Sequence, residues 1–214
     1  MDQQQLRDCI AFIQRAENLK NTLRSAYTSM GRQESSAEHS WRLCLLLMVL
    51  ADQFEGVHLE KLLRMAVIHD LGEAVCGDIP AVSQSGEEGK SGVEREAMQE
   101  LCQGLPESIA SEFLELWDEY EGGESAEARI VKGLDKMETI IQHNQGLNPD
   151  SFDYGFNLSY GLEWTQTHPL LEQMRAVLDE ATRTRAQKSS RSSGHDDMHG
   201  FVQINSDTKI TKNL

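Results

Sequence analysis

Apolar positions along most of the chain recur every three or four residues, the spacing of helices that present one face to a core. This spacing predicts a first helix over residues 3–20 and a last helix over residues 169–187. The helices between them are predicted to start at Ser35 or Ser36, Leu59, Val93, Pro106 and Ser125. No stretch shows the alternation of a substantial sheet. The sequence therefore predicts an all-α fold, a bundle of about six to eight helices.

The first and last predicted helices carry apolar stripes that we expect to lie on the core. The stripes consist of Leu6, Ile10, Ile13 and Ala16 in the first helix, and of Leu170, Leu171, Met174, Val177 and Leu178 in the last. The helix that follows Ser36 places Leu43, Leu47 and Phe54 on one face. A chain of 214 residues with these stripes is long enough for one well-buried domain.

Several segments lack a clear period and are predicted to be irregular. Residues 21–34 form a link, and residues 148–160 form a loop that packs aromatic side chains onto the helices. Residues 83–92 contain three glycines and three serines, which predicts a flexible surface loop that could act as a lid. We divide the chain into one domain at residues 1–187 and a polar, flexible tail at residues 188–214.

The net negative charge of the chain argues against two classes of binding partner. A formal net charge of −15 repels phosphate backbones and anionic lipids, which argues against binding of polymeric nucleic acid or of membrane surfaces. The longest apolar run, Leu43 to Ala51, is too short to span a bilayer. The four cysteines form no paired motif and follow no secretory signal, which is typical of a reduced cytoplasmic protein. One small phosphate ligand at a local site stays compatible with this charge.

Four side chains that can bind metal fall on predicted buried faces: His39, His69, Asp70 and Asp135. Each has an ordinary alternative, since a lone buried histidine is more often hydrogen-bonded than a ligand, and Asp135 could pair with Lys132 or Lys136. Together, two imidazoles and two carboxylates suit Mn, Fe, Co, Ni, Zn or, less well, Mg. Because such a set leaves positions free for water and a substrate oxygen, the sequence predicts a catalytic metal site.

The order of these residues resembles the H...HD...D pattern of the HD-domain metal-dependent phosphohydrolases. The resemblance covers residues 19–142 and is more specific to the 5'-deoxynucleotidase branch. In that branch an Arg-x-Glu-x-x-x-Glu/Asp-His run recurs, which reads Arg32 to His39 here. A His-Asp-x-x-Glu-x-x-x-Gly-Asp-Ile/Leu block also recurs, and it reads His69 to Ile79. The resemblance implies a single HD-domain helical bundle, a divalent metal cofactor and a homodimer.

The resemblance also implies a role for each matching residue. Metal binding is the implied role of His39, His69, Asp70 and Asp135. Glu73 would be the general acid or base, and Asp78 would position substrate or water. Arg24 would contact the substrate phosphate, and Glu119 would be an acid near the pocket. One position departs from the bacterial pattern, because Ser25 follows Arg24 where those members have a tryptophan at the sugar. The preference for deoxyribose over ribose is therefore left open.

The function predicted from these residues is hydrolysis of nucleoside 5'-monophosphates, preferentially deoxy forms, to nucleoside and phosphate. A divalent ion lowers the pKa of bound water and polarises a phosphoryl oxygen, while a carboxylate manages the proton and a guanidinium holds the phosphate. Removal of triphosphate from a deoxynucleoside triphosphate and cleavage of a phosphodiester are alternatives within the same superfamily. A protein that binds metal or nucleotide without turnover is the alternative from another class. The sequence does not determine the metal or the favoured base.

Overall fold

The computed structural model of the chain describes residues 1–78 and 87–193, with side chains for all of these except 87–90 and 189–193. Helices dominate the described residues, which confirms the predicted all-α class. They are α1 (Gln3–Ala16), α2 (Ser36–Leu50), α3 (Leu59–Ile68), α4 (Glu73–Cys76), α5 (Glu87–Leu101), α6 (Glu107–Gly122), α7 (Ala126–Gln145), α8 (Leu162–Thr165) and α9 (Pro169–Ser193). Short 3₁₀ helices lie at Glu17–Lys20, Ala51–Gln53 and Tyr154–Leu158. Within this part of the chain, no helix combines the length and the apolar character needed to cross a membrane.

Polar caps fix the first turns of α2 and α7, the two helices that carry predicted metal ligands. The Ser35 side chain accepts a hydrogen bond from the Glu38 backbone N–H, and the Glu38 carboxylate accepts one from the Ser35 N–H in return. At the start of α7 the Ser125 side chain accepts a hydrogen bond from the Ala128 N–H. These caps agree with the helix starts predicted from the sequence.

Helix α7 lies at the centre of the bundle, with α2, α3, α6, α8 and α9 packed around it. The main core consists of fully buried side chains from these helices: Leu43, Leu47, Leu62, Met65, Val131, Leu134, Met137 and Leu171. A second core joins α1, α5 and α6 through Phe12, Met98, Leu101 and Trp117. Burial of each large apolar side chain is worth about 1.5–3 kcal/mol, so the two cores together fix the helices that surround the site.

Residues 21–34, predicted to be an irregular link, form a β-hairpin instead. Strand β1 (Leu23–Tyr27) pairs antiparallel with β2 (Gln33–Ser35), with Leu23 opposite Ser35 and Tyr27 opposite Gln33. Gly31 closes the turn with a φ of +83°, a conformation that side chains disfavour. The strands are too short to show a period of two, which is why the sequence did not predict them. The hairpin packs on α7 and brings Arg24 to it.

The periodicity predicts one continuous helix from Leu59 to Glu73, but the structure interrupts it. Helix α3 ends at Ile68, residues 69–72 form a turn, and α4 begins at Glu73. Close packing accompanies the turn, since a Cβ atom on Gly72 would lie 2.9 Å from the backbone oxygen of Glu94 in α5. The predicted end of this region at Gly77 is confirmed, where φ is +79°.

The predicted irregular segments at residues 83–92 and 188–214 are shorter than expected where the structure describes them. Helix α5 begins at Glu87, so residues 87–92 are helical, and residues 83–86 of the proposed lid lie outside the described residues. Helix α9 continues to Ser193, and residues 194–214 lie outside the described part as well. The division into a domain and a tail therefore stays a prediction.

Two predicted core stripes are only partly buried. On α1 the side chains of Leu6, Ile10 and Ile13 are each at least half exposed, and Phe12 is the buried residue of that helix. On α9 Leu171 is fully buried, whereas Val177 is 67% exposed. Periodicity identifies the apolar face of a helix, but the buried fraction of that face depends on which other elements pack against it.

Candidate metal centre and active site

The structure brings three of the four predicted metal ligands into one cluster. One ligand atom each of His39, His69 and Asp70 lies within 4.8 Å of the others. Asp135 joins them through His39, whose Nε2 is 3.0 Å from Asp135 Oδ1 and 3.8 Å from Asp70 Oδ2. His39, His69 and Asp135 are buried and Asp70 is partly buried. Side chains from α2, α7 and the turn after α3 therefore meet at one point.

The hydrogen bonding of His69 fits a role as a metal ligand. Its Nδ1–H donates to the Ala66 backbone oxygen at 2.8 Å, which fixes the tautomer and leaves the Nε2 lone pair available. The Nε2 atom is buried and makes no well-formed hydrogen bond with the residues that the structure describes, and it lies 3.2 Å from Asp70 Oδ2. A buried acceptor without a partner costs free energy, and a divalent cation bound beside Asp70 would satisfy it. The residues present thus fit a divalent metal.

The other histidine of the cluster, His39, is held by a buried carboxylate that the sequence analysis did not identify. His39 Nδ1 contacts Glu138 Oε2, and Arg42 donates from Nε to Glu138 Oε1. Glu138 is only 1% exposed. The carboxylate lowers the energy of the Nδ1–H tautomer, so that Nε2 points at Asp135 and Asp70. Burial and Arg24 oppose protonation of His39, but Glu138 and Asp135 outweigh them and raise its pKa to about 10, so a metal ion that binds Nε2 would displace a proton.

The carboxylate of Asp135 has partners on both of its oxygens. Oδ1 faces His39, while Oδ2 accepts hydrogen bonds from Tyr120 Oη and Lys136 Nζ, both at 2.9 Å. Burial opposes ionisation of Asp135, but the charge of Lys136 and the contact with His39 hold its pKa well below the usual range. Asp135 is therefore an anion at neutral pH, as a metal ligand must be.

Arg24 lies beside the second carboxylate of the cluster. Its NH1 group is 3.4 Å from Asp70 Oδ2, and its NH2 group donates to Thr139 Oγ1 at 3.0 Å. The Arg24 side chain is 13% exposed and lines the cavity described below. Burial opposes the charge on Arg24, but Asp70 and Asp135 outweigh burial and raise its pKa, so the guanidinium stays charged.

Several residues of the Arg32 to His39 run make contacts that hold the start of α2 in place. Arg32 forms a bidentate ion pair with Glu38, the same carboxylate that completes the cap of α2. Glu34 lies 3.7 Å from Arg24 Nε. The run therefore ties the end of the hairpin to the start of α2 and so fixes the position of His39.

Glu73 is the buried carboxyl group next to the metal cluster. Its Oε2 accepts a hydrogen bond from Ser36 Oγ at 2.6 Å, and the residue is 4% exposed. Burial together with the negative charges of Asp70 and Asp78 raises the pKa of Glu73 to about 9. Asp78 lines the same cavity. Glu73 is thus a carboxylic acid that holds its proton at neutral pH.

Glu119 does not join the cluster, although the sequence analysis placed it near the pocket. Its carboxylate pairs with Lys61 Nζ at 2.7 Å in a separate surface cavity between α3 and α6. Successive residues of a helix point about 100° apart, so its neighbours Tyr120 and Glu121 face the metal-side cavity instead. Glu119 therefore lines the cavity between α3 and α6 and not the cavity beside the metal cluster, where it was expected.

The cluster opens into a cavity of about 760 Å³, a volume typical of small-ligand sites. One end carries Arg24, Asp70, Glu73, Asp78, Asp135 and Lys136. The wall formed by residues 149–164 carries Phe152, Phe156, Tyr160 and Trp164. The cavity thus combines a charged end with an aromatic wall, and Ser25 lines it beside Arg24.

Several site residues were missed by the sequence analysis, and most lie one helical turn from a predicted ligand. Glu138 and Thr139 follow Asp135 by three and four residues, Arg42 follows His39 by three, and Ser36 precedes it by three. Such neighbours share a helix face with the ligand, which is the signal that could have found them. His143, in the last turn of α7, is buried with its Nδ1 2.8 Å from Asn157 Oδ1, and burial lowers its pKa.

Comparisons with known proteins agree with this geometry. A family model described as "HD domain" matches residues 16–175. The Homo sapiens protein named 5'-deoxynucleotidase HDDC2 is 36% identical over 141 residues, which cover 65% of this chain and 68% of the relative. The Schizosaccharomyces pombe protein named 5'-deoxynucleotidase hdd1 is 35% identical over 139 residues, which cover 62% of this chain and 69% of the relative.

A solved structure supports the same assignment. The crystal structure of a protein from Magnetospirillum magnetotacticum MS-1, described as a "Predicted metal-dependent phosphohydrolase", matches with a TM-score of 0.71 and 30% identity. The match covers 86% of this chain and 98% of that one. The chain belongs to the HD-domain family, which confirms the resemblance stated from its motifs.

The contact between Glu138 and His39 leads to a prediction about metal affinity. We expect Glu138→Gln to lower the affinity for Mn²⁺ or Zn²⁺ about tenfold or more, because the neutral amide holds the Nδ1–H tautomer less strongly and makes Nε2 a poorer donor. Isothermal titration calorimetry with the metal-stripped protein measures this change.

The matched control is Glu119→Gln, which makes the same chemical change at the separate cavity between α3 and α6. It should leave the metal affinity within about twofold of wild type. Equal metal affinities for wild type and a folded Glu138→Gln variant would show that Glu138 does not position His39.

Proposed function

We propose that this HD-domain protein is a metal-dependent phosphohydrolase that converts deoxynucleoside 5'-monophosphates to nucleoside and phosphate. The observation that carries the proposal is the buried cluster of His39, His69, Asp70 and Asp135 at the charged end of a cavity of nucleotide size. The names of the relatives, which are 5'-deoxynucleotidases, support the substrate class.

The four cluster residues are proposed to hold the divalent ion, with Asp70 and Asp135 ionised and Nε2 of both histidines facing inward. When bound, the ion supplies a water of lowered pKa and polarises a phosphoryl oxygen. The mixed donor set suits Mn, Fe, Co, Ni or Zn, and less well Mg. Arg24 is proposed to donate to the phosphate oxygens from its place beside Asp70.

Glu73 is proposed to supply the proton in this reaction. A carboxyl group that stays protonated near pH 7 can donate to the 5' oxygen as that oxygen leaves the phosphorus. Ser36 donates to one oxygen of Glu73 and so orients the group. Asp78 lines the same end of the cavity, where it is proposed to position the substrate or the attacking water.

The experiment that tests the function is a phosphate-release assay across deoxy- and ribonucleoside 5'-monophosphates, with each divalent metal in turn. We expect release from the deoxy forms by wild type and a loss of at least about a thousandfold in His69→Ala, which lacks one ligand.

Product analysis separates the alternatives, because tripolyphosphate from a deoxynucleoside triphosphate would indicate a triphosphohydrolase and a nucleotide from a diester would indicate a phosphodiesterase. A nucleotide that raises the melting temperature without being consumed would identify a binding protein and overturn the proposal.

The raised pKa of Glu73 predicts a dependence of stability on pH. Its folded-state pKa of about 9 lies above the ordinary 4.5, so between these values the folded protein keeps a proton that the unfolded chain releases. Stability should therefore fall as pH rises through this window. In EDTA-treated protein, Glu73→Gln should remove part of this loss and melt a few degrees higher than wild type at pH 8.

Thermal melts at a series of pH values make this measurement. Glu172→Gln, which alters an exposed glutamate on α9, is the matched control and should follow the wild-type curve. Melting curves of wild type and Glu73→Gln that stay parallel from pH 5 to pH 9 would contradict a buried, protonated Glu73.

Two finer features, the compartment and the oligomeric state, are also proposed. A reducing compartment such as the cytoplasm is supported by the four cysteines, which form no paired motif in the sequence. A homodimer is supported by the outer face of α2, where Trp41, Leu45, Met48 and Val49 are 45–71% exposed opposite the face that packs on the core. A soluble helix that is apolar on both sides is usually covered on both. Light scattering should therefore give the mass of two chains, and the mass of one chain would reject the dimer.

A further inference from the structure

Lys136 lies at the metal centre, one residue after the ligand Asp135. Its Nζ donates to Asp135 Oδ2 at 2.9 Å, and the side chain lines the cavity with 23% of its surface exposed. The neighbouring lysine, Lys132, pairs with Glu121 at 3.3 Å instead. Of these two lysines on α7, Lys136 is thus the one that contacts a proposed metal ligand.

The segment around Tyr160 holds Lys136 in this position. Its ammonium lies over the Tyr160 ring, 5.4 Å from the ring centre. Gly161 has a φ of +66°, and a Cβ atom there would lie 2.5 Å from Lys136 Cγ. Because the glycine makes room for the lysine stem, the side chain is directed along the aromatic wall into the charged end of the cavity.

Each ligand carboxylate of the cluster therefore has one lysine or arginine side chain beside it. Arg24, from β1, lies 3.4 Å from Asp70, and Lys136, from α7, lies 2.9 Å from Asp135. With a divalent ion bound, the ion itself balances the charge of these two carboxylates. The two cations are then matched by the charge of a phosphate monoester, which is close to −2 at neutral pH. A phosphodiester carries −1 and matches the charge of only one of the two.

We propose that Lys136 is a second phosphate-binding residue, which acts with Arg24 to favour dianionic phosphate monoesters over monoanionic diesters. This inference rests on the proposed function and adds a substrate class to it. The ammonium reaches the phosphate from α7, while the guanidinium reaches it from the hairpin. Two charged donors from separate elements also fix the orientation of the phosphate relative to Glu73.

The test compares Lys136→Met with wild type, both saturated with metal. One substrate is a deoxynucleoside 5'-monophosphate and the other is the methyl diester of the same nucleotide. We expect the KM for the monoester to rise about tenfold or more and the preference for monoester over diester to fall by a similar factor, because a charge-assisted contact with the dianion is lost. Inorganic phosphate should also bind about tenfold more weakly by calorimetry, a readout that does not depend on turnover.

The charge-matched control is Lys61→Met, which removes a lysine from the surface cavity between α3 and α6 and should leave all of these values near wild type. Lys136→Arg restores the charge and should recover phosphate binding at least in part, which separates loss of the cation from a general disturbance of the fold.

Metal affinity distinguishes the proposed role from simple neutralisation of Asp135. If Lys136 only balanced the charge of Asp135, Lys136→Met would bind metal more tightly and would bind phosphate as wild type does, and this result would overturn the inference. Phosphate release by wild type is measured first. Its absence would overturn the proposed function, whereas an active wild type with an unchanged Lys136→Met would overturn only the role of Lys136.

Discussion

Compensation of buried carboxylates is the constraint on which the rest of the structure depends. Asp135, Glu73 and Glu138 are each at most 5% exposed, and Asp70 is partly buried beside them. An uncompensated buried charge costs several kcal/mol, so each group needs a partner held in place. The partners come from different elements: Arg24 from the hairpin, Ser36 and Arg42 from α2, Tyr120 from α6 and Lys136 from α7.

The same arrangement gives neighbouring carboxyl groups different protonation states. Asp70 is ionised, because its contacts with His69, His39 and Arg24 outweigh its burial and lower its pKa. Glu73, three residues later, is neutral near pH 7 because burial and the negative charge of Asp70 raise its pKa. Pairs of acids with separated pKa values are a recurring basis for acid and base roles in one site. Here the separation follows from the turn at residues 69–72, which places Asp70 beside Arg24 and buries Glu73 near the negative charges of Asp70 and Asp78.

The cavity joins this charged centre to a wall from a different part of the chain. Residues 149–164 supply the aromatic side chains, and the fit of Gly161 against Lys136 ties that segment to α7. The match to the HD-domain family over residues 16–175 includes both parts. A ligand with a phosphate and an apolar ring would contact the two ends at once, and the small Ser25 leaves space beside Arg24 in the region between them.

Much of the fold and of the metal centre could be predicted from the sequence, because both leave a local signature. Helical periodicity located α2, α3, α6, α7 and α9 near their observed bounds, and the spacing of His39, His69 and Asp70 on apolar faces identified residues that the structure brings together. The hairpin was missed since its strands are too short to show a period, and the break before Glu73 was missed since His69, Asp70 and Glu73 continue the helical spacing of α3.

Only the tertiary structure decided which polar groups meet. Glu138 contacts His39 across 99 positions of sequence, and Arg24 contacts Thr139 across 115. Glu119 and Tyr120 are adjacent in the chain yet face different cavities. Side-chain chemistry and helix face are properties of a short stretch of sequence, and they determined the ligand types and the core. The pairing of most buried charges depends on how distant elements pack, and only the contact between Asp135 and the adjacent Lys136 could be anticipated from the sequence.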